Sequence, residues 1–309
     1  MFDARKLPTV LNAEELLDKA FGRASRVGGR NPRERTINKL STVSNVLRDY
    51  FNKIIKSHPD YDRVPDFYRE LIDLIVGIRR IKKALASLKW ADGMIQRIIE
   101  RSIRDVKSGK NAVQVLKSAY GRISSIIEQI DPELRFLNKL KVVLREIPSL
   151  TEDPTVVVAG FPNVGKSSLV ARISTVKPKI ASYPFTTKEI NVGYMEIDGK
   201  RIQIIDTPGL LDRPIHRRNE IEKKAILCLK HIADCILFII DPTEISGSLE
   251  SQLKLLEEIK QNFEVPVIAV YSKSDLHNRR DLPAFSSVTG EGIDRIINII
   301  RDTVRTAED

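Results

Sequence analysis

Residues Gly160 to Ser168 read G-F-P-N-V-G-K-S-S and follow directly on the apolar run Thr155–Ala159. No other stretch of the 309 residues restricts the fold as much. A strand that ends in G-x-x-x-x-G-K-S and opens into a helix curls the backbone so that successive N–H groups point inward at an anion. The two glycines stand where a Cβ would collide with that curl. The pattern predicts a nucleotide-phosphate cradle built by Gly160, Phe161, Pro162, Asn163, Val164, Gly165, Lys166, Ser167 and Ser168. Within it Lys166 reaches the β and γ oxygens, and the Ser167 hydroxyl ligates Mg²⁺.

Further motifs follow at the ends of apolar runs. Arg201–Ile205 leads into D-T-P-G, which sets Asp206 at a strand tip where a carboxylate holds Mg²⁺ through water. Val265–Tyr271 leads into Ser272, Lys273, Ser274 and Asp275, the place for a base-reading loop. A carboxylate there accepts from the paired N–H donors of guanine, a pair that adenine lacks. Ser286, Ser287 and Val288 supply a second short base-contacting loop before the helix expected over Ile293–Arg305. Thr186 and Thr187 lie about midway between the cradle and Asp206, where a switch threonine ligates Mg²⁺ only while a γ-phosphate is present. Thr187 is the favoured one; a threonine pair opening the strand Ile190–Ile197 by β propensity is the plain alternative. The candidate catalytic residues are thus Lys166, Thr187 and Gly209, and the metal ligands Ser167, Thr187 and Asp206. The segment Leu211–Glu220 reads as a mobile, polar second switch in which His216 faces solvent.

Charge divides the chain in two. Residues 1–150 hold 30 Lys+Arg against 18 Asp+Glu, a net +12, whereas residues 151–309 hold 21 against 23, a net −2. A basic module joined to a near-neutral one points to a nucleic-acid partner for the first half. That half is helical by periodicity, with apolar stripes at Val43–Ile55, Leu71–Ile78, Met94–Ile103, Val113–Ile127 and Leu137–Leu144. The expectation is a basic helical bundle over 1–147, a two-proline linker over 148–154, and the nucleotide domain over 155–309. Arg79–Lys89 with Arg97, Arg101 and Arg104 form a positive ridge, and Arg23–Arg35, with five arginines, reads as a flexible arm that orders on RNA. Aromatic residues interleave poorly with these charges, so stacking on unpaired bases is not the leading mode. Cys228 and Cys235 read as buried thiols of a reducing compartment. No long apolar run or signal pattern is present, so no membrane association is expected.

The cradle, Tyr183–Thr187 and D-T-P-G-L together resemble the Obg-related branch of GTPases. Leu211–Pro214 and the helical first half resemble, within it, the Nog family of nucleolar GTP-binding proteins, in a short archaeal form. The resemblance implies an all-α bundle followed by an α/β P-loop GTPase domain, with a mostly parallel sheet and helices on both faces. It implies GTP/GDP and Mg²⁺ as ligands, GTP hydrolysis tied to large ribosomal subunit maturation, and ribosomal RNA as partner of a monomer. The location implied is the cytoplasm, or the nucleolus in a eukaryote. Two departures stand out. Leu210 occupies the place of the water-orienting glutamine of Ras-like proteins, so intrinsic hydrolysis is expected to be slow, on the order of 10⁻⁴ to 10⁻² s⁻¹. Ser272 replaces the usual asparagine and weakens the tether between base loop and cradle. Asn163 either holds K⁺ beside the phosphates, as in related K⁺-stimulated GTPases, or serves a left-handed turn. A nucleotide-locked structural protein and a signal-recognition-type targeting GTPase are the competing readings; the second lacks support because Ser167-Ser168 replace the two threonines of that group.

Overall fold

The computed structural model describes residues 7–145, 147, 150–176, 178–182, 189–207 and 211–308. Their contacts divide into two units, one of Phe2–Val64 with Val76–Arg145 and one of Pro65–Ile75 with Glu146–Asp309. The helix α3 (Asp66–Val76) therefore belongs with the nucleotide domain, against the expectation of an uninterrupted bundle over 1–147. Tyr68 carries the reason: its hydroxyl accepts from Leu150 N at 2.8 Å. Glu70 pairs with His231 at 2.9 Å.

The helical unit consists of α1 (Ala13–Ser25), α2 (Pro32–Ser57), α4 (Ile78–Lys107), α5 (Ala112–Gln129) and α6 (Asp131–Arg145). Each start is encoded locally. Asn12 and Glu15 cap α1 reciprocally, Asn31 caps α2 just before Pro32, and Asn111 caps α5. The packed faces follow the helical period: α2 and α4 pack on each other, and Leu40, Val43, Leu47 and Ile54 on α2 and Ile81, Ala84, Leu88 and Ile95 on α4 are all buried. Three expectations are corrected here. The stripe Leu71–Ile78 is not one helix, because Gly77 at φ +78° breaks it and only Leu71 and Ile72 are buried. Val113 is 69% exposed, since it sits in the first turn of α5 outside the packed face. The arginine-rich arm is for the most part not an arm. Its ends belong to α1 and α2, and the turn between is fixed by Asn38 Nδ2 donating to Gly28 O.

The other unit is built on a six-stranded sheet in the order β2-β3-β4-β1-β5-β6. Its strands are β1 (Thr155–Ala159), β2 (Lys179–Ser182), β3 (Glu189–Ile197), β4 (Lys200–Asp206), β5 (Cys235–Ile240) and β6 (Val267–Tyr271). β4, β1, β5 and β6 run parallel, and the β2–β3–β4 edge is antiparallel. Continuous apolar runs in β1 and β5 mark strands buried on both faces. Val156, Val158, Leu237 and Ile239 pack with α7 (Lys166–Ile173) and α10 (Ile293–Glu308). Val157, Ile236 and Phe238 alternate to the opposite face, where α9 (Leu249–Asn262) packs on β5; α8 (Glu220–Leu227) precedes that strand. Burial pushes the Cys228 thiol up to about 11 and the Cys235 thiol up to about 12, so both are inert side chains. Among the described residues no helix is long and apolar enough to cross a membrane.

Candidate functional site

Parallel strands end on one edge of their sheet, and loops at that edge form the crevice of an open α/β fold. Register places Ala159 beside Phe238, Val158 beside Asp206, and Ile240 beside Tyr271. The tips of β1, β4, β5 and β6 consequently bring Gly160, Asp206, Asp241 and Ser272 to that edge.

The cradle forms as the motif demands. Gly160 lies at φ +135°, and a Cβ there would stand 2.4 Å from Ile239 O, so the loop closes onto β5 only with glycine. Gly165 lies at φ +99° as the residue before α7, and Asn163 takes the left-handed conformation at φ +63°. Lys166 is buried, its Nζ donating to Gly160 O and Phe161 O at 2.7 Å each. Those bonds lash the ammonium across the loop, at the start of a helix whose N-terminus favours anions. The Phe161 ring covers Gly247, where a Cβ would meet it at 2.8 Å.

Ser167 and Asp206 meet as expected, Oγ donating to Asp206 Oδ2 at 2.5 Å. Asn191 Nδ2 donates to the same oxygen at 3.1 Å. Asp206 Oδ1 is buried and has no hydrogen-bond partner among the described residues. A buried carboxylate oxygen left open beside a serine hydroxyl is the donor set of a hard divalent cation, so the residues present fit Mg²⁺. Thr186, Thr187, Gly209 and Leu210 lie outside the described residues. The second switch departs from expectation after them. Leu211 is fully buried and its carbonyl accepts from Gly160 N at 3.0 Å, while Arg218 and Asp212 form a buried ion pair at 3.1 Å. Leu211 is thus held against the cradle's first residue, and both Leu211 and Ile215 are core side chains. His216 is exposed and touches Glu258 at 3.2 Å.

The base loop is held from an unexpected side. Ser272 N and Oγ both donate to Ile240 O, at 2.9 and 3.3 Å. His277 Nε2 lies 2.9 Å from Ser272 O. Lys273, at φ +59°, places its Nζ 2.6 Å from Asp241 Oδ2. Ser274 Oγ donates to Glu291 Oε2 at 3.1 Å, and Asp275 stands exposed at the loop's end, free to meet a base. Ser286 is buried, its Oγ accepting from Val288 N and Thr289 N at 3.2 Å, which shapes the second base loop. Arg172 of α7 donates to Ser287 O at 3.1 Å and ties that loop to the cradle helix, while Val288 is 82% exposed.

Asp241 is the functional residue that sequence reasoning missed. Its carboxylate is fully buried and binds Thr243 N and Oγ1, Ser246 N and Oγ, and Lys273 Nζ. Burial raises its pKa, but the bonds from Lys273, Thr243 and Ser246 outweigh that and hold the group at about 2. The signal was present: six apolar residues, Cys235–Ile240, end in an aspartate as Ile202–Ile205 do.

Both parts of the chain are similar to known proteins. A profile described as the Nog1 N-terminal helical domain matches residues 4–150, and one described as a 50S ribosome-binding GTPase matches residues 155–273. An uncharacterized protein of Methanocaldococcus jannaschii is 39% identical over 88% of this chain and 81% of its own. Nucleolar GTP-binding protein 1 of Drosophila melanogaster is 35% identical over 79% of this chain and 38% of its own. That of Saccharomyces cerevisiae is 30% identical over 90% and 45%. The chain spans less than half of these two eukaryotic relatives. With a Nog1-type helical domain followed by a GTPase domain, and relatives at 30–39% identity along most of its length, the chain belongs to the Nog family and is a GTPase.

Proposed function

We propose that this protein is a GTP-switched assembly factor of the large ribosomal subunit, whose basic helical unit docks on ribosomal RNA. The observation that carries the reading is the segregation of charge: +12 in residues 1–150 against −2 in the half that holds the nucleotide site. The ribosome-binding description of the GTPase profile and the nucleolar names of the relatives support it.

In the switch itself, Asp275 accepts from the guanine edge, while the N–H groups of the cradle and the Lys166 ammonium carry the phosphate charge. Ser167, Thr187 and Asp206, the last through water, would hold Mg²⁺, which neutralises charge developing between the β and γ phosphates. Leu210 offers no group to orient the attacking water, so turnover waits on an external trigger. Asn163, already in a left-handed turn, is the residue that would admit K⁺ beside the phosphates. Turnover compared in K⁺ and in Na⁺ tests that role.

Co-sedimentation with large ribosomal subunits tests the whole reading. The chain is expected to pellet with subunits in one nucleotide state, GDP or a non-hydrolysable GTP analogue, more than in the other, and to be released as salt rises. Equal and salt-independent recovery in both states would sink it.

A further inference from the structure

Trp90 is the sole tryptophan and is 43% exposed, the largest of the apolar side chains that the helical unit leaves exposed, beside Val113 and Val142. It is not isolated. Lys83, Trp90, Arg97 and Arg104 are spaced seven residues apart on α4, and all four are exposed. Seven residues are nearly two helical turns, so these side chains form one stripe with a step of about 10 Å along the axis. The positive ridge therefore carries an aromatic plate in its row, which the spacing of charges alone did not reveal.

Trp90 also forms a wall of a groove of about 440 Å³, bounded by Lys83 and Ser87 of α4, by Gln129 and Ile130 at the end of α5, and by Glu133 of α6. Among the described residues the Lys83 ammonium, the Trp90 indole N–H and the Gln129 amide make no hydrogen bond or ion pair within the chain. Glu133 is paired with Arg80 at 3.2 Å and keeps further acceptor capacity. The groove thus has a flat π surface, hydrogen-bonding groups and a lysine ammonium together in its lining. An amphipathic partner helix asks for a row of apolar pockets, which this groove lacks. An unpaired nucleobase asks for the set found here.

We propose that Trp90 is a base-stacking site: an unpaired RNA base lies on its indole within the Lys83–Gln129–Glu133 groove, while Lys83 and Arg97 take the phosphates on either side. The inference rests on the RNA-docking reading above and deepens it, by adding readout of a single-stranded segment to attraction by charge.

The sole tryptophan makes the test direct. The full chain is titrated with a single-stranded RNA oligonucleotide and with an RNA duplex of equal length, while Trp90 emission, acrylamide quenching and affinity are followed. Single-stranded RNA is expected to quench Trp90 and shield it from acrylamide, whereas the duplex leaves the emission unchanged. Trp90→Ala is expected to weaken single-strand binding between about fivefold and about a hundredfold, the range for one lost base stack, with duplex binding and GTP turnover unchanged. Trp90→Phe should restore most of the affinity. Salt-dependent RNA binding with Trp90 unshielded and Trp90→Ala as tight as the parent overturns the stacking site and leaves the docking reading standing. Absence of salt-dependent RNA binding overturns both. Quenching by an arginine-rich peptide but not by RNA overturns the inference in favour of a protein occupant.

Discussion

At the scale of single residues, the site works through a few side chains whose neighbours leave them one task. Lys166 bridges two cradle carbonyls and is the only cation there assigned to the β and γ phosphates. Lys166→Ala is expected to abolish GTP turnover, read as phosphate release; normal turnover would refute the assignment. Asp275→Asn reverses the hydrogen-bonding sense at the base edge, so preference should move from GTP toward xanthosine triphosphate, as competition binding would show. Asp241 acts through another residue. Its buried carboxylate holds Lys273 at 2.6 Å while Ser272, just after β6, donates to Ile240 O at the end of β5, so β5 anchors the loop that an asparagine would tie to the cradle. Asp241→Asn removes a charge-assisted bond of about 1.5–3 kcal/mol, and the GDP dissociation constant should rise about tenfold to a hundredfold. Restoring the asparagine in the Asp241→Asn, Ser272→Asn double variant should recover part of that loss, a rescue that a general packing defect would not show.

Elements are set by their ends. α2 begins where Asn31 Oδ1 accepts from Glu34 N at 2.8 Å and Pro32 fits the first turn, and this start draws the last four residues of the arginine-rich segment, Pro32–Arg35, into helix. Asn31→Ala is expected to cost about 1 kcal/mol of stability, measured by denaturant unfolding of the helical unit's transition. A loss within error would mean that packing of Leu40 and Val43, rather than the cap, starts the helix. At the other end of the scale of local control, Gly77 divides two apolar stretches that share one period, and the division sends α3 and α4 to different units.

The whole molecule separates charge from chemistry. α4 exposes Arg97, Arg101 and Arg104 on the basic unit, and the other unit holds the candidate nucleotide-site residues. Reversing the three arginines to glutamate should weaken RNA binding and flatten the slope of log K against log salt by about two to three, one unit or a little less per phosphate contact. GTP turnover of the free protein should stay unchanged. An unaltered salt slope would make the ridge a solvated face. The unit boundaries add a practical consequence: a fragment starting at residue 151 lacks α3 and the Tyr68–Leu150 bond that belong to its own unit.

Much of this protein was legible before any fold was known, and for a physical reason. Phosphate cradles and strand tips are local: G-F-P-N-V-G-K-S-S, Asp206 and Asp275 stand within a few residues of the apolar runs that place them, so the pattern survives in a linear string. Charge segregation is legible for the same reason, being a sum over segments. What needed tertiary structure was every role defined by a distant partner. Asp241 matters through Lys273, 32 residues away, and Tyr68 through Leu150, 82 residues away. Arg218 is buried by its fold rather than its neighbours in sequence, and Trp90 acquires a groove only where the turn between α5 and α6 packs beside α4. Sequence period says which face of an element is apolar; only packing says what that face meets, and therefore which polar groups beside it are left to act.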